Sequence, residues 1–229
     1  MQKYIDVTGL IQDGMWNYEP PFPSISIKPL PPVPWVEQPV YCEIFEGMHS
    51  QTGTYLETPA HFYGMDSEES YLLADVELER IMDVPCVVLN LGLLEKSPDG
   101  SRHGITVNEL ESCLNAKDIC EGDAILVGTG WGRYWMDPDY LNTSPYFTKA
   151  AMDWLISKKP SILGSDLGRW ENLDKPEGFF PDFYAADILM VGPLVNLEKV
   201  TSHRCRLTAL PLNIARTSCA PARVVIIQE

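Results

Sequence analysis

The sequence predicts a single α/β domain with a sheet at its core and helices outside it. Two short apolar runs, Val84 to Leu91 and Ala124 to Thr129, have the length and continuity of strands buried on both faces. Segments of helical spacing alternate with such runs, and no internal repeat or low-complexity tail interrupts them. At 229 residues the chain suits one large domain, residues 1–229, with a substantial core.

Residues 3 to 8 read as an opening strand. From Pro20 to Pro39 there are eight prolines, which rule out a regular helix and predict an extended arm or lid at about residues 20–39, laid over a pocket or reaching a neighbouring subunit. If residues 49 to 57 are extended, His49, Gln51, Tyr55 and Glu57 project from one side of one strand. Thr106 to Leu114 opens with a threonine ahead of a helical pattern. Thr148 to Ser157 is apolar at helical spacing through Ala151, Trp154 and Leu155, and strand-like Ser161-Ile162-Leu163-Gly164 follows it. Leu207 to Ile214 and Val224 to Ile227 supply closing strands.

Composition excludes some partners. With 17 basic and 32 acidic residues the formal net charge is −15, which repels phosphate backbones and anionic membrane surfaces, so neither nucleic acid nor membrane is an expected partner. No apolar run approaches the roughly 20 residues that span a bilayer. Six cysteines are scattered without C-x-x-C spacing and the amino terminus has no secretory pattern, so reduced thiols and a cytoplasmic location are expected.

Chemistry concentrates between His49 and His61. His49, Gln51, Tyr55, Glu57 and His61 place five potential ligands or proton-transfer groups in thirteen residues around Gly53-Thr54 and Pro59. Burying a carboxylate beside an imidazole is costly unless the two pair or hold a cation. Pro59 ends strand pairing, after which the chain can turn so that His61 faces back to Glu57.

This run resembles the signature of the cyclase and kynurenine formamidase-like metal-dependent hydrolases, His-x-Gly-Thr-His-x-Asp-x-Pro-x-His. Gly53, Thr54, Pro59 and His61 keep four of its seven fixed positions, while Gln51, Tyr55 and Glu57 stand at the first histidine, the second histidine and the aspartate. The likeness extends along the chain through Ile5-Asp6-Val7-Thr8, Asp13-Gly14-Met15-Trp16, Gly122 to Trp131, Gly164-Ser165-Asp166, Ala209-Leu210-Pro211-Leu212 and Ala220-Pro221-Ala222-Arg223. It implies a mixed-sheet fold of the swivelling β/β/α type and a homodimer or larger symmetric assembly. The family's second metal uses a downstream glutamate whose place here is Gly192 in Val191-Gly192-Pro193-Leu194, with Glu171 or Glu198 as substitutes in a shifted register.

The resemblance therefore implies a single divalent ion, zinc or manganese, held by Gln51, Glu57 and His61, or no ion at all. A tyrosine binds zinc well only as phenolate, against an ordinary pKa of about 10, so Tyr55 is expected instead to donate a hydrogen bond to a tetrahedral oxyanion. Off the metal, His61 becomes a general base with Glu57 fixing its tautomer. His49, His103 and His203 are expected to be satisfied locally or at the surface, and Asp166 to fix a strand end. Trp16, Tyr18, Phe62, Tyr63, Trp131, Tyr134, Trp135 and Trp170 fall in or beside the matched loops and favour a ring-bearing small molecule. Three functions stand open: a hydrolase opening a cyclic amide or lactone or cleaving a small amide, a metal-free lyase or cyclase using His61 and Glu57, and a non-catalytic small-molecule binder.

Overall fold

The computed structural model describes residues 2–38 and 40–228; Pro39, the last proline of the predicted arm, lies outside them. The principal sheet comprises β1 (Lys3–Asp6), β4 (Tyr55–Glu57), β5 (Val84–Asn90), β7 (Ala124–Gly128), β9 (Ile162–Ser165), β10 (Leu189–Gly192), β11 (Cys205–Pro211) and β12 (Cys219–Gln228). The order is β1-β12-β11-β5-β7-β9-β10-β4, and β4 pairs with β12 as well, so seven strands close into a barrel-like ring with β1 outside it. Neighbours among β5, β7, β9 and β10 run parallel and the remaining pairings are antiparallel, which makes the sheet mixed. Two small sheets complete the strands: a ribbon of β2 (Ser26–Pro29) with β3 (Glu43–Glu46), and a parallel pair of β6 (Gly104–Ile105) with β8 (Tyr146–Phe147).

The continuous apolar runs follow from burial on both faces. Val84, Cys86 and Val88 of β5, with Ala124 and Leu126 of β7, join Leu56, Ile162, Leu189 and Val191 in the ring's interior cluster. The alternate residues Val87, Leu89, Ile125, Val127, Leu163 and Met190 lie under α2 (Val107–Ser112), α4 (Lys149–Ser157) and α5 (Phe180–Ala185). Thr106 caps α2 through a reciprocal box with Glu109, and Thr148 caps α4 by accepting from the Ala151 N–H at 3.3 Å. The remaining short helices are α1 (Ala60–Tyr63) and α3 (Tyr140–Thr143). Among the described residues no helix is long and apolar enough to cross a membrane.

Two expectations need correction. Residues 49 to 57 do not form one strand: only Tyr55–Glu57 is extended, because the chain turns through 50–54. Gly53 adopts φ +71°, and a Cβ there would also meet Ile11 Cγ1 at 2.7 Å, so the turn requires glycine. Thr54 then locks the turn in place, donating from Oγ1 to the Pro193 carbonyl at 2.6 Å and accepting from the Gly9 N–H at 2.9 Å. Secondly, Val224–Ile227 covers only part of the second half of β12, which begins at Cys219. Its leading residues Cys219-Ala220-Pro221 have little strand propensity and are held extended by pairing with β4.

Asp166, just past β9, fixes the strand end as its sequence context suggests. Its buried carboxylate accepts from Thr129 N at 3.0 Å, Thr129 Oγ1 at 2.8 Å and Trp131 N at 2.9 Å. Beyond it, segment 167–171 is held by Arg102, which donates to the carbonyls of Arg169 at 2.8 Å and Glu171 at 2.9 Å. Replacing Asp166 orphans several buried donors at once. Asp166→Ala is expected to cost about 3 kcal/mol of unfolding free energy. Denaturant unfolding measures it, and a loss below about 1 kcal/mol contradicts the anchoring role.

Candidate active site

Tyr55, Leu56 and Glu57 of β4 are all buried, and alternation sends Leu56 into the barrel while Tyr55 and Glu57 face outward. Because β4 lies between β10 and β12, each outward residue belongs to a row across three strands. Glu57 is flanked by Met190 and Cys219, and Tyr55 by Gly192 and Pro221. Of these residues Tyr55, Glu57, Met190 and Gly192 form one wall of a pocket of about 410 Å³. The rest of the lining comes from Tyr18, Gln51, α1 (His61 and Phe62), segment 167–171, Leu173, and α5 (Phe180 and Tyr184).

Pro59 stands at the N-cap of α1 and ends the strand, and the short helix swings His61 back over Glu57. His61 Nε2 lies 4.0 Å from Glu57 Oε2, with the Glu57 side chain 2% exposed and that of His61 39% exposed. The expected return of His61 toward Glu57 is therefore present. Glu57 Oε1 accepts a hydrogen bond from the Tyr184 hydroxyl, whereas Oε2 is buried without a hydrogen-bond partner. Phe62 and Phe180 both stack with the Tyr184 ring, at centroid distances of 5.4 and 5.9 Å, which fixes this donor. Burial pushes the Glu57 carboxyl above its ordinary value, opposed by His61, by the Tyr184 hydrogen bond and by the nearby Gln51 amide.

Tyr55 shares its hydroxyl with Tyr18 at 3.1 Å and accepts from Gln51 Nε2 at 3.3 Å. Burial raises the Tyr55 phenol well above its ordinary range and pushes Tyr18 up to about 12, so both keep their protons at neutral pH. Cys219 was not foreseen as a site residue; its Sγ lies 4.0 Å from His61 Nδ1. One donor atom each from Glu57, His61 and Cys219 can be chosen so that all lie within 4.8 Å of one another. Carboxylate, imidazole and thiol are all ligand groups for a divalent ion, and the unpartnered Oε2 needs an electropositive neighbour, so the donor set fits a metal.

Other sequence candidates lie elsewhere. His49 Nε2 is 3.1 Å from Asn17 Oδ1 and the ring packs against Phe22 outside the pocket lining, while His103 and His203 pair with Glu109 and Asp118 on exposed ground. Gly192 does occupy the position opposite Tyr55, and Glu171 reaches the pocket but accepts from the Gly178 N–H. Of the eight aromatic residues singled out, Tyr18, Phe62 and Trp170 line the pocket; Trp16, Trp131 and Trp135 pack with Tyr140 in a separate core. Tyr184 and Cys219 sit 127 and 158 positions from their partners in the chain, and only the β10–β4–β12 pairing and α5 bring them in. The single advance signal was the position of Cys219 beside the Ala220-Pro221-Ala222-Arg223 landmark.

The raised Glu57 carboxyl has a signed consequence for metal-free protein. The folded state binds its proton more tightly than the unfolded state, so stability from this group is full below the ordinary value of 4.5 and is lost as pH rises through the folded value. In chelator, wild type is expected to lose stability relative to Glu57→Gln as pH climbs above 4.5 toward neutrality. Chemical denaturation of both proteins across that range measures the difference, and a pH-independent gap contradicts the assignment.

The Cyclase family model matches residues 5–172, a span that holds β4, Glu57 and His61. Among solved structures, isatin hydrolase A from Ralstonia solanacearum is similar with a TM-score of 0.77 and 21% identity, over 100% of this chain and 92% of that one. An isatin hydrolase bound to the product analogue thioisatinate gives 0.77 and 20%, over 99% and 92%. A protein described as a potential metal-dependent hydrolase with cyclase activity gives 0.72 and 22%, over the full length of both chains. At such identities the likeness is one of fold, and no curated protein matches the chain. The family match, which covers well over half of the 229 residues, establishes that the chain belongs to the Cyclase family.

Proposed function

We propose that this protein is a hydrolase that opens a cyclic amide or lactone, or cleaves a small amide, on a ring-bearing substrate, with one divalent ion at Glu57 and His61. The observation that carries the reading is the unpartnered Oε2 of Glu57, buried and 4.0 Å from His61 Nε2 at the wall of an aromatic-lined pocket. The names of the similar structures, isatin hydrolases and a metal-dependent hydrolase, support it.

An ion at this position supplies Lewis acidity toward a substrate carbonyl and makes hydroxide accessible near neutral pH. The chain's own groups do the rest. Tyr184 holds Glu57 Oε1 so that Oε2 stays directed at His61. Tyr55 retains its proton and donates it as a hydrogen bond to the negative charge that develops on the carbonyl oxygen, with Tyr18 and Gln51 orienting the hydroxyl. Gln51 is the third donor that the sequence nominates, through its amide oxygen. Phe62, Trp170, Phe180 and Tyr184 cover a planar ring and exclude water from the carbonyl. No second carboxylate faces this wall from β10, since Met190 stands opposite Glu57 and Gly192 opposite Tyr55, which favours one ion over two.

A second reading, a lyase or cyclase in which His61 and Glu57 pass protons, rests on the same 4.0 Å pair and differs in needing no ion. The separating experiment is turnover of aryl formamides, lactams and lactones with and without chelator. The hydrolase reading expects chelation to abolish hydrolysis and zinc or manganese to restore it, and expects His61→Ala to lower kcat about 100-fold or more. Full activity in chelator overturns the metal-assisted reading in favour of proton transfer. Tight ligand binding without turnover favours a binding protein.

A further inference from the structure

We propose that Cys219 is a thiolate ligand, and that with Glu57 and His61 it makes the site a mononuclear zinc centre selective against manganese and magnesium. The proposal deepens the metal-assisted reading above and rests on it.

Placement comes first. In the β4–β12 ladder Cys219 is the direct partner of Glu57, and both side chains leave the same face of the sheet. Cys219 lies beneath His61 and is 1% exposed, outside the pocket lining, so it is badly placed to attack a substrate. It is well placed to hold an ion from behind while Glu57 and His61 hold it at the pocket wall. The second observation is independent of the cysteine: Glu57 Oε2, buried and without a partner, is aimed into the same space.

The alternatives for a third ligand are weaker. Tyr55 is engaged by Tyr18 and Gln51, and Gln51 spends its amide nitrogen on Tyr55 and offers only a neutral carbonyl oxygen. Tetrahedral zinc at bond lengths of about 2.0–2.3 Å brings ligand atoms to about 3.3–3.6 Å of each other. The present spacing, within 4.8 Å, closes by small side-chain movements around a bound ion.

Charge and softness decide the metal. One carboxylate and one thiolate neutralise a divalent cation in a buried site, which relieves the desolvation of both anions. Coordination replaces the thiol S–H bond by a sulfur–metal bond and sends the proton to solvent. A thiolate prefers zinc, whereas manganese and magnesium prefer oxygen ligands.

Cobalt(II) reports this geometry because a thiolate ligand gives a near-ultraviolet charge-transfer band. Metal-free wild-type protein titrated with cobalt is expected to bind a single equivalent with that band, and to lose it on adding zinc but not manganese. Cys219→Ser is expected to lose the band and to bind zinc about 100-fold more weakly, while Cys42→Ser and Cys120→Ser, at exposed thiols, keep both. Stoichiometric cobalt without the band in wild type overturns the thiolate and leaves the hydrolase reading intact. So does a band that persists in Cys219→Ser, and since the wild-type titration stands alone, a misfolded variant does not remove the test. Failure to bind any divalent metal overturns both. A thiolate band in a protein that hydrolyses nothing overturns only the hydrolase reading.

Discussion

The burial of one carboxylate organises the candidate site. Glu57 ends the strand that closes the barrel and is flanked by paired backbone on both sides, so its side chain cannot escape to solvent by a local shift. Ionised carboxylates cost several kcal/mol to bury without compensation. One oxygen is compensated by a tyrosine clamped between stacked rings, and the other faces an imidazole at 4.0 Å, too long for a good hydrogen bond. A protein that only needed a stable barrel would have an apolar residue there, as at Leu56 on the opposite face.

Closure of the sheet makes that burial achievable. The three-residue strand β4 is stabilised because β10 and β12 bond to it from both sides and because Thr54 ties its entrance to Pro193 and Gly9. Asp166 and Arg102 then hold segment 167–171 against the same pocket from the parallel half of the sheet. Site and fold are coupled: the residues that close the barrel present the polar wall, and the helices over the parallel strands present the aromatic one.

Much of this was legible in the sequence for local reasons. The runs at 84–91 and 124–129 are largely apolar because both faces are covered, and Thr106 and Thr148 announce their helices by capping chemistry. The cluster Gln51, Tyr55, Glu57 and His61 was visible because it lies within one short stretch, and Pro59 marked where the strand had to end. The turn at 50–54 was misread as strand because alternation of polar residues also fits an extended chain, and only the positive φ of Gly53 distinguishes them. Tyr184 and Cys219 were hidden because long-range pairing, rather than any local pattern, selects them. A cysteine in a weakly strand-forming run, Cys219-Ala220-Pro221, gives no periodic cue of what faces it across the ladder.

The central claim is that Glu57 Oε2 is kept without a protein partner in order to bind a cation. Elemental mass spectrometry of wild type and Glu57→Gln, purified without chelator, exposed to zinc and desalted, tests it most directly. The account predicts a single equivalent of zinc on wild type and loss of stoichiometric zinc from the folded variant. Metal-free wild type after that exposure, or a variant that binds zinc equally well, would contradict it.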